Sequence, residues 1–386
     1  MFSMAGRREA QRVAKRKPQG KRVDFRRNRL RPARQKHWHV SSEEPEAHIE
    51  DAATWETVRH KGALSRKRTI VERAEEPPSA DRSQLMRGTA IAVRGQYVEV
   101  DSGEKMWLCT VRRVLRTRLI RERHPVVAGD EVLFTPVAES TLNEGVIEEV
   151  LPRRTALHRS DGRRHHVIAA NVDQVIVVSS IREPLIKEHL IDRYLVAVHA
   201  GGPEGIICIN KADLDHEARI PEILERYLRI GYRALATSTA TGQGIEELRS
   251  ILAGKTTMLA GQSGVGKSSL INAVQPGLNL KTAHVSVATD KGRHTTTTAA
   301  WYRLDMGGAV IDTPGIRALD VAMIPLNELE MHFVEFLDKI PHCKFPNCVH
   351  IHEDGCAVKA AVEAGTIDPS RYESYVDMFV ERSEQG

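Results

Sequence analysis

The sequence predicts a multidomain protein: an N-terminal β-barrel, a central P-loop α/β domain and an α-helical C-terminal domain. Three observations support this prediction. Residues 85–152 contain five short runs of alternating apolar and polar side chains, separated by turn residues. Residues 172–315 alternate strand-like and helix-like runs and include a G-x-x-x-x-G-K-S motif. Three cysteines lie close together near position 350.

Charge is distributed unevenly along the 386 residues. Residues 1–40 hold 14 Lys and Arg against two acidic residues, a net charge of +12; since the whole chain carries +5, the remainder carries −7. No apolar run reaches the roughly 20 residues of a membrane helix, and the N-terminus lacks an apolar signal-peptide core. We therefore expect a cytoplasmic protein with no membrane partner.

Residues 1–84 are predicted to be a basic extension and linker, disordered in isolation, because they have few apolar side chains. Arg-rich segments neutralise phosphates, and Phe25 and Trp38 could stack on bases. A solvated tail without a partner, or a targeting arm, is the alternative. Residues 41–84 have the composition of a linker, with a short helix predicted around Trp55.

Residues 85–152 are predicted to form a barrel of the oligonucleotide-binding (OB) type, because five short strands fit within about 70 residues. An SH3-like barrel is the structural alternative. The next segment, 152–170, is interpreted as a basic connector.

The central domain, assigned to residues 153–325, shows the strand and helix alternation of a doubly wound parallel sheet, whose strand ends hold the ligand. Its predicted strands are 172–181, 205–209, 232–236, 257–260 and 309–311. Its predicted helices are 187–200, 221–230, 245–252 and 268–274.

The G-x-x-x-x-G-K-S motif begins at Gly261 and follows a short apolar strand. Its glycines let successive backbone N–H groups face phosphate oxygens, while Lys267 reaches the outer phosphates and the Ser268 hydroxyl ligates Mg²⁺. The predicted phosphate-binding residues are Gly261, Gln262, Ser263, Gly264, Val265, Gly266, Lys267, Ser268 and Ser269.

Two loops at neighbouring strand ends indicate a guanine base. The first consists of Asn210, Lys211, Ala212 and Asp213. A carboxylate at Asp213 can accept hydrogen bonds from N1–H and the 2-amino group of guanine, a pair that adenine lacks. The second loop includes Ser238 and Thr239, whose backbone N–H groups are predicted to contact the guanine O6.

Residues between the P-loop and Gly315 predict the remaining parts of a GTP site. Asp312 offers a carboxylate to the Mg²⁺ shell, and the Gly315 N–H faces the γ-phosphate. Thr295 or Thr296 could supply a second hydroxyl to Mg²⁺; a plain edge strand is the alternative for this Thr run. The base-recognition motifs precede the phosphate motifs, so the α/β domain is predicted to be circularly permuted.

The C-terminal domain, assigned to residues 326–386, contains Cys343, Cys348, His350 and Cys356. Three thiolates and one imidazole form a closed tetrahedral Zn²⁺ site of the structural type. His352 and, more weakly, His342 compete for the imidazole position. Helices are predicted at 326–340, 357–364 and 369–380. The other two cysteines, Cys109 and Cys208, have apolar neighbours and are predicted to be buried thiols.

Taken together, these motifs resemble the family of circularly permuted, ribosome-dependent GTPases of small ribosomal subunit biogenesis. The resemblance covers about residues 85–386 and implies an OB-fold barrel, a circularly permuted P-loop GTPase domain and a zinc-binding C-terminal domain. It favours His350 as the fourth zinc ligand. It also implies His294 as the catalytic residue, because Ile316 occupies the place where many GTPases carry the water-positioning Gln.

The resemblance further implies a function and partners. We expect a monomeric GTP hydrolase, stimulated by the ribosome, that binds the small (30S) ribosomal subunit and its 16S rRNA during late assembly. GTP hydrolysis to GDP would drive release, with Mg²⁺ bound to GTP and one structural Zn²⁺. The alternatives are a nucleic-acid-binding protein with a non-ribosomal GTP switch, and a P-loop small-molecule kinase.

Overall fold

The computed structural model describes residues 20–24, 67–71, 85–112, 115, 125–137, 143–160, 165–278, 300–312 and 319–385. The chain divides into two compact units, Met1–Ser79 and Ala80–Gly386. In the first unit, strand β1 (Gly20–Asp24) pairs antiparallel with β2 (Lys67–Val71). Sequence analysis predicted no strand in this part of the chain. The helix predicted around Trp55 lies outside the described residues.

The second unit begins with a closed five-stranded barrel, which confirms the OB-type prediction. Its strands are β3 (Met86–Arg94), β4 (Tyr97–Asp101), β5 (Met106–Val111), β6 (Glu131–Pro136) and β7 (Glu144–Val150). The barrel closes because β3 pairs with both β4 and β6, and β5 pairs in parallel with β7. Alternate side chains of these strands fill the interior, including the buried thiol Cys109. Burial raises the pKa of this thiol to about 12.

A hairpin follows the barrel where the sequence suggested only a connector. Strand β8 (Ala156–Ser160) pairs antiparallel with β9 (His165–Ala170). Leu157, Ala169 and Ala170 are buried, so the hairpin presents an apolar face despite its basic composition.

The central domain is built on a parallel sheet, as predicted. Its parallel strands are β10 (Gln174–Ser180), β11 (Glu204–Asn210), β12 (Arg233–Ala236), β13 (Thr256–Ala260) and β15 (Ala309–Asp312). Its helices are α1 (Glu188–Gly201), α2 (Ile220–Arg229), α3 (Ile245–Leu252) and α4 (Lys267–Val274). The spatial order β12-β11-β10-β13-β15 places β13, the strand before the P-loop, between β10 and β15, while β11 and β12, which precede the base-recognition loops, lie beyond β10.

Successive residues of the parallel strands point to opposite faces of the sheet, and each face has its own helices. Val175 and Val177 of β10 pack in one buried cluster with side chains of α1 and α2. Ile176 and Val178 pack in the other cluster with side chains of α3 and α4. Both faces are therefore covered, as a parallel sheet requires.

Strand β14 (Ala300–Arg303) joins the sheet to the barrel. It pairs antiparallel with β15 and, through Ala300 and Ala92, with β3. Within the described ranges the strands from β3 to β7 and from β10 to β15 thus form one 11-stranded sheet. An ion pair between Arg303 and Asp101, 2.5 Å apart, fastens the same junction.

The prediction of an α-helix over residues 326–340 is wrong. The structure has a 3-10 helix at Leu326–His332, followed by turns and a short 3-10 helix at Ile340–His342. Backbone bonds from Phe333 to Glu330 and from Phe336 to Phe333 span three residues instead of four. This tighter winding stacks the two buried phenylalanine rings with centroids 5.1 Å apart.

Two α-helices complete the C-terminal region, close to their predicted positions: α5 (Ala357–Glu363) and α6 (Pro369–Gln385). None of the helices in the described parts of the chain is long and apolar enough to cross a membrane.

Candidate functional site

The P-loop curls at the carboxyl end of β13, between that strand and α4. Gly261, Gly264 and Gly266 all adopt positive φ values, of 143°, 84° and 97°. The backbone at Gly261 approaches the next strand so closely that a Cβ there would lie 2.1 Å from the Val178 carbonyl oxygen. These positions require glycine, because other residues pay a steric cost in the left-handed region. Ser268 and Ser269 lie in the first turn of α4, whose N-terminus favours anions.

Lys267 folds back over the loop. Its Nζ donates hydrogen bonds to the carbonyl oxygens of Gly261 at 2.8 Å and Gln262 at 2.7 Å. Burial lowers the pKa of Lys267, while the Asp312 carboxylate opposes that shift. The ammonium is thus held next to the loop that is predicted to surround the phosphates.

Asn210 joins the base-recognition loop to the P-loop. Its side chain is 1% exposed, and its Nδ2 donates to the Val265 carbonyl at 2.8 Å. Its Oδ1 accepts a hydrogen bond from the Thr237 hydroxyl at 3.1 Å. The buried amide therefore holds three loops in one arrangement.

Asp213 is exposed at the same edge of the sheet, where a base could reach it. Its Oδ1 accepts a hydrogen bond from the buried Ser238 hydroxyl at 2.5 Å. The Ser238 oxygen also lies 3.2 Å from the backbone N–H groups of Ala240 and Thr241. Thr239 is exposed beside it. This arrangement orients the Asp213 carboxylate without using both of its oxygens.

Two further residues lie near these loops: Glu183 was not identified from the sequence, and Cys208 was predicted only to be a buried thiol, which the structure confirms. The carbonyl oxygen of Glu183 accepts a hydrogen bond from Lys211 Nζ. Cys208, a buried thiol, lies 3.2 Å from the Thr237 hydroxyl. Burial raises the pKa of Cys208 to about 12, so the thiol stays protonated. Glu183 carries no sequence signal, because it acts through its backbone.

The phosphate end of the site is described in part. Asp312 ends β15 next to β13, and the register pairs Met258 with Ile311. Gly315, His294, Thr295 and Thr296 lie outside the described residues. Their predicted roles stay predictions.

The structure brings Cys343, Cys348, His350 and Cys356 together. One ligand atom from each of the four lies within 4.8 Å of all the others. His350 Nδ1 is 3.5 Å from Cys343 Sγ and 3.3 Å from Cys356 Sγ. His352 is exposed instead, with 79% of its side chain accessible. A soft donor set of three sulfurs and one nitrogen suits a closed tetrahedral zinc site.

The other side of His350 meets a carboxylate. Its Nε2 lies 2.8 Å from Oε2 of Glu330, in the 3-10 helix that replaced the predicted α-helix. Burial lowers the pKa of His350, but Glu330 and Cys356 outweigh burial and raise it. A carboxylate behind a metal-binding imidazole fixes the ring so that Nδ1 faces the metal. Both ring nitrogens of His350 therefore have the surroundings of a zinc-binding imidazole: Nδ1 faces the cysteine sulfurs and Nε2 faces the Glu330 carboxylate.

The fold and the site together define a class: a circularly permuted P-loop GTPase with an OB-type barrel and a Cys₃His centre. Residues 150–322 match the family model described as RsgA GTPase. A relative from Moorella thermoacetica, described as small ribosomal subunit biogenesis GTPase RsgA, is 44% identical over 298 residues, which are 77% of this chain and 97% of the relative. A relative of the same description from Thermotoga petrophila is 42% identical over 301 residues, 76% of this chain and 96% of the relative. The chain belongs to the RsgA family of GTP hydrolases.

Solved structures agree with this assignment. YjeQ from Thermotoga maritima is 39% identical and superposes with a TM-score of 0.64, covering 77% of this chain and 98% of its own. YloQ, described as a circularly permuted GTPase, is 31% identical with a TM-score of 0.62, covering 80% of this chain and 99% of its own. The similarity therefore extends over more than three quarters of this chain and nearly all of each solved chain.

Proposed function

We propose that this GTPase acts in the biogenesis of the small ribosomal subunit. It binds the 30S subunit and 16S rRNA late in assembly, as a monomer in the cytoplasm, and GTP hydrolysis is coupled to its release. GTP binding is supported by one observation at one edge of the permuted sheet: Asn210 is hydrogen-bonded to the P-loop, and Asp213 lies nearby, hydrogen-bonded to Ser238. The names of the relatives support the ribosomal part.

In this proposal the P-loop backbone and Lys267 bind the phosphates, and Asp213 selects guanine. Ser268 and Asp312 hold Mg²⁺, together with Thr295 or Thr296. When bound at these residues, Mg²⁺ would supply positive charge beside the phosphates. Lys267 Nζ donates to the carbonyl oxygens of Gly261 and Gln262 at this loop, and a phosphate oxygen would be a charged, stronger acceptor for the same ammonium.

His294 is our proposed catalytic residue, positioning the attacking water. Ile316 stands where many GTPases have a Gln, and its aliphatic side chain cannot hydrogen-bond to water. A rate that depends on the ribosome follows if the subunit brings His294 to the γ-phosphate.

The remaining parts of the chain hold the subunit and the metal. We propose that the barrel (85–152) and the basic extension (1–84) contact rRNA. The C-terminal domain (326–386) binds one structural Zn²⁺ through Cys343, Cys348, His350 and Cys356. Residues 153–325 form the GTPase domain between them.

The test is co-sedimentation of the purified full-length chain with purified small subunits. We expect the protein to pellet with subunits in a non-hydrolysable GTP analogue and to stay in the supernatant in GDP. Large subunits are the control particle and should not pellet it. Equal pelleting in both nucleotides would contradict release by hydrolysis, and no pelleting in either would contradict the ribosomal function.

A matched pair of variants tests His294. His294→Ala should lower GTP hydrolysis on the subunit by about 10²-fold, as expected for loss of a positioned proton-transfer or water-orienting group, without changing GTP affinity. His189→Ala, in α1, is the control histidine. Unchanged hydrolysis in His294→Ala would remove this residue from the mechanism.

A further inference from the structure

The guanine-binding half of the sheet and the Cys₃His centre share one hydrophobic core. Side chains from one face of β10 and β11 lie in the same buried cluster as three aromatic residues of the C-terminal region: Val175, Val177, Ile207, Ile209, Phe333, Phe336 and Tyr375. Cys348 and Cys356 belong to this cluster as well. The metal centre is therefore continuous with the nucleotide domain, and is not a separate module on its surface.

Helix α6 holds the metal-binding loop directly. The Tyr372 hydroxyl donates to the His350 carbonyl at 2.7 Å, and the Tyr375 hydroxyl donates to the Val349 carbonyl at 2.8 Å. His350 itself has a positive φ of 61°, a conformation that costs a histidine free energy unless its surroundings impose it. The shape of this loop therefore fixes the position of α6, and the position of α6 in turn fixes the shape of the loop.

A buried ionic cluster then joins α6 to helices α1 and α2. Arg371 of α6 is 1% exposed, and its guanidinium donates to Asp192 at 2.7 Å and to Glu335 at 2.7 and 3.0 Å. Asp192 also accepts hydrogen bonds from Ser374 at 2.6 Å and from Tyr227 of α2 at 2.9 Å. Moving α6 would leave buried charges without partners, which would cost free energy. The three helices are thus held in a single arrangement.

Helix α2 is in turn attached to the loop that recognises the base. The short 3-10 helix Ala212–Leu214 contains Asp213 and leads into Asp215. The Asp215 carboxylate accepts hydrogen bonds from the N–H groups of Arg219 at 3.0 Å and Ile220 at 2.8 Å, at the start of α2. The position of α2 therefore sets the position of the Asp213 loop.

We propose that metal binding at the Cys₃His centre and guanine nucleotide binding are thermodynamically coupled through the Arg371 cluster, each strengthening the other. This inference rests on the proposed GTP and zinc binding. Without metal the four ligand side chains lose their common partner, the loop around His350 loosens, and α6 and α2 lose their fixed positions. Ordering of the Asp213 loop then costs free energy when nucleotide binds, which weakens nucleotide binding. Couplings between sites are typically about 5- to 150-fold.

The experiment measures both affinities on the full-length chain. The Kd of a fluorescent GDP analogue is determined for zinc-loaded and chelator-treated protein, and zinc affinity is determined by competition with a chromogenic chelator, with and without GDP. We expect both affinities to change by the same factor, about 5-fold or more, because linkage is reciprocal. Failure to bind zinc, or failure to bind GDP, would contradict the proposed function. Binding of both with no mutual effect would contradict this inference alone.

Variants separate the cluster from general loss of folding. The triple variant Arg371→Met, Asp192→Asn, Glu335→Gln removes all the charges of the cluster, so that none is left unpaired. We expect it to bind zinc and GDP with a coupling factor near one. If zinc-free protein merely unfolds, the coupling factor stays at its wild-type value in this variant, and the inference is wrong.

Two further variants keep the test decisive if the triple variant does not fold. Tyr227→Phe removes one hydrogen bond of the cluster without changing charge and should lower the coupling factor in part. Arg229→Met with Glu225→Gln removes an exposed ion pair of 3.0 Å on the same helix and should leave the factor unchanged. Equal factors in both variants would overturn the assignment of the cluster.

Discussion

Replacement of Gly266 by alanine should cost more than the same replacement at Gly264 of the P-loop. A Cβ at Gly266 would lie 2.3 Å from Nδ2 of Asn210, and φ is +97°. Gly264 has a similar backbone, with φ +84°, but a Cβ there would meet Pro184 Cδ at an ordinary 3.8 Å. The two substitutions share the backbone strain, and only Gly266→Ala adds a steric clash.

The magnitude follows from these contacts. A left-handed backbone costs a residue with a Cβ about 1–2 kcal/mol. The clash at Gly266 also displaces the Asn210 amide from the Val265 carbonyl, 2.8 Å away, and loss of a buried hydrogen bond costs about 1–3 kcal/mol. Gly266→Ala should therefore cost about 2–5 kcal/mol in total, against about 1–2 kcal/mol for Gly264→Ala. The difference corresponds to roughly 5- to 150-fold in an equilibrium constant.

The assay combines equilibrium titration with a fluorescent GDP analogue and thermal unfolding of the nucleotide-free protein, so that losses of affinity and of stability are both counted. Gly277→Ala is the control, since a Cβ there has open space and φ is not positive. Equal losses in Gly266→Ala and Gly264→Ala would refute the reasoning, because the Asn210 contact would then not be the reason for glycine.

Three further predictions concern other parts of the site. Asp213→Asn should weaken GDP binding by about 1.5–3 kcal/mol and favour xanthosine diphosphate, whose C2 carbonyl accepts a hydrogen bond from the amide; competition titration measures this, and an unchanged preference would place guanine recognition elsewhere. Metal analysis should find the proposed one zinc per chain in the wild-type protein and in Cys109→Ala, in the barrel, and none in Cys348→Ser. Burial lowers the pKa of His199 and His332 in the folded protein below the ordinary value of 6.5. Because the unfolded chain then binds protons more readily, the contribution of these neutral histidines to the free energy of unfolding is fully present above pH 6.5. This contribution is lost as the pH falls through the lower pKa of the folded state. His199→Gln should flatten the dependence of the melting temperature on pH in that range, and an unchanged slope would contradict this origin.

Periodicity predicted the parallel sheet well, because its strands and helices bury clear apolar faces. The helix at Ile245–Leu252 has the predicted bounds. The hairpin β8–β9 was missed because basic residues conceal the alternation of its few buried side chains. The segment after Leu326 was misassigned because apolar residues three and four apart suit an α-helix, while Glu330 and the two phenylalanines are in fact placed by tighter turns.

The site was predictable where its chemistry requires a particular residue type. Gly261–Lys267, Asp213 and the Cys₃His cluster carry residue types that their chemistry demands, and the structure places each group at one location. Glu183 and the Glu330 carboxylate behind His350 were not predicted. The first acts through its backbone, and the second depends on a tertiary contact 20 residues away in sequence.

The most direct test of the proposed function is the steady-state rate of GTP and ATP hydrolysis by the purified chain, with and without purified small ribosomal subunits. We predict that the chain hydrolyses GTP slowly without subunits, that the GTP hydrolysis rate rises strongly with subunits, and that ATP is not hydrolysed in either condition. A GTP rate indifferent to saturating subunits would contradict the ribosomal function. A rate that is equal on ATP would contradict guanine selection by Asp213 and favour a P-loop enzyme of another kind.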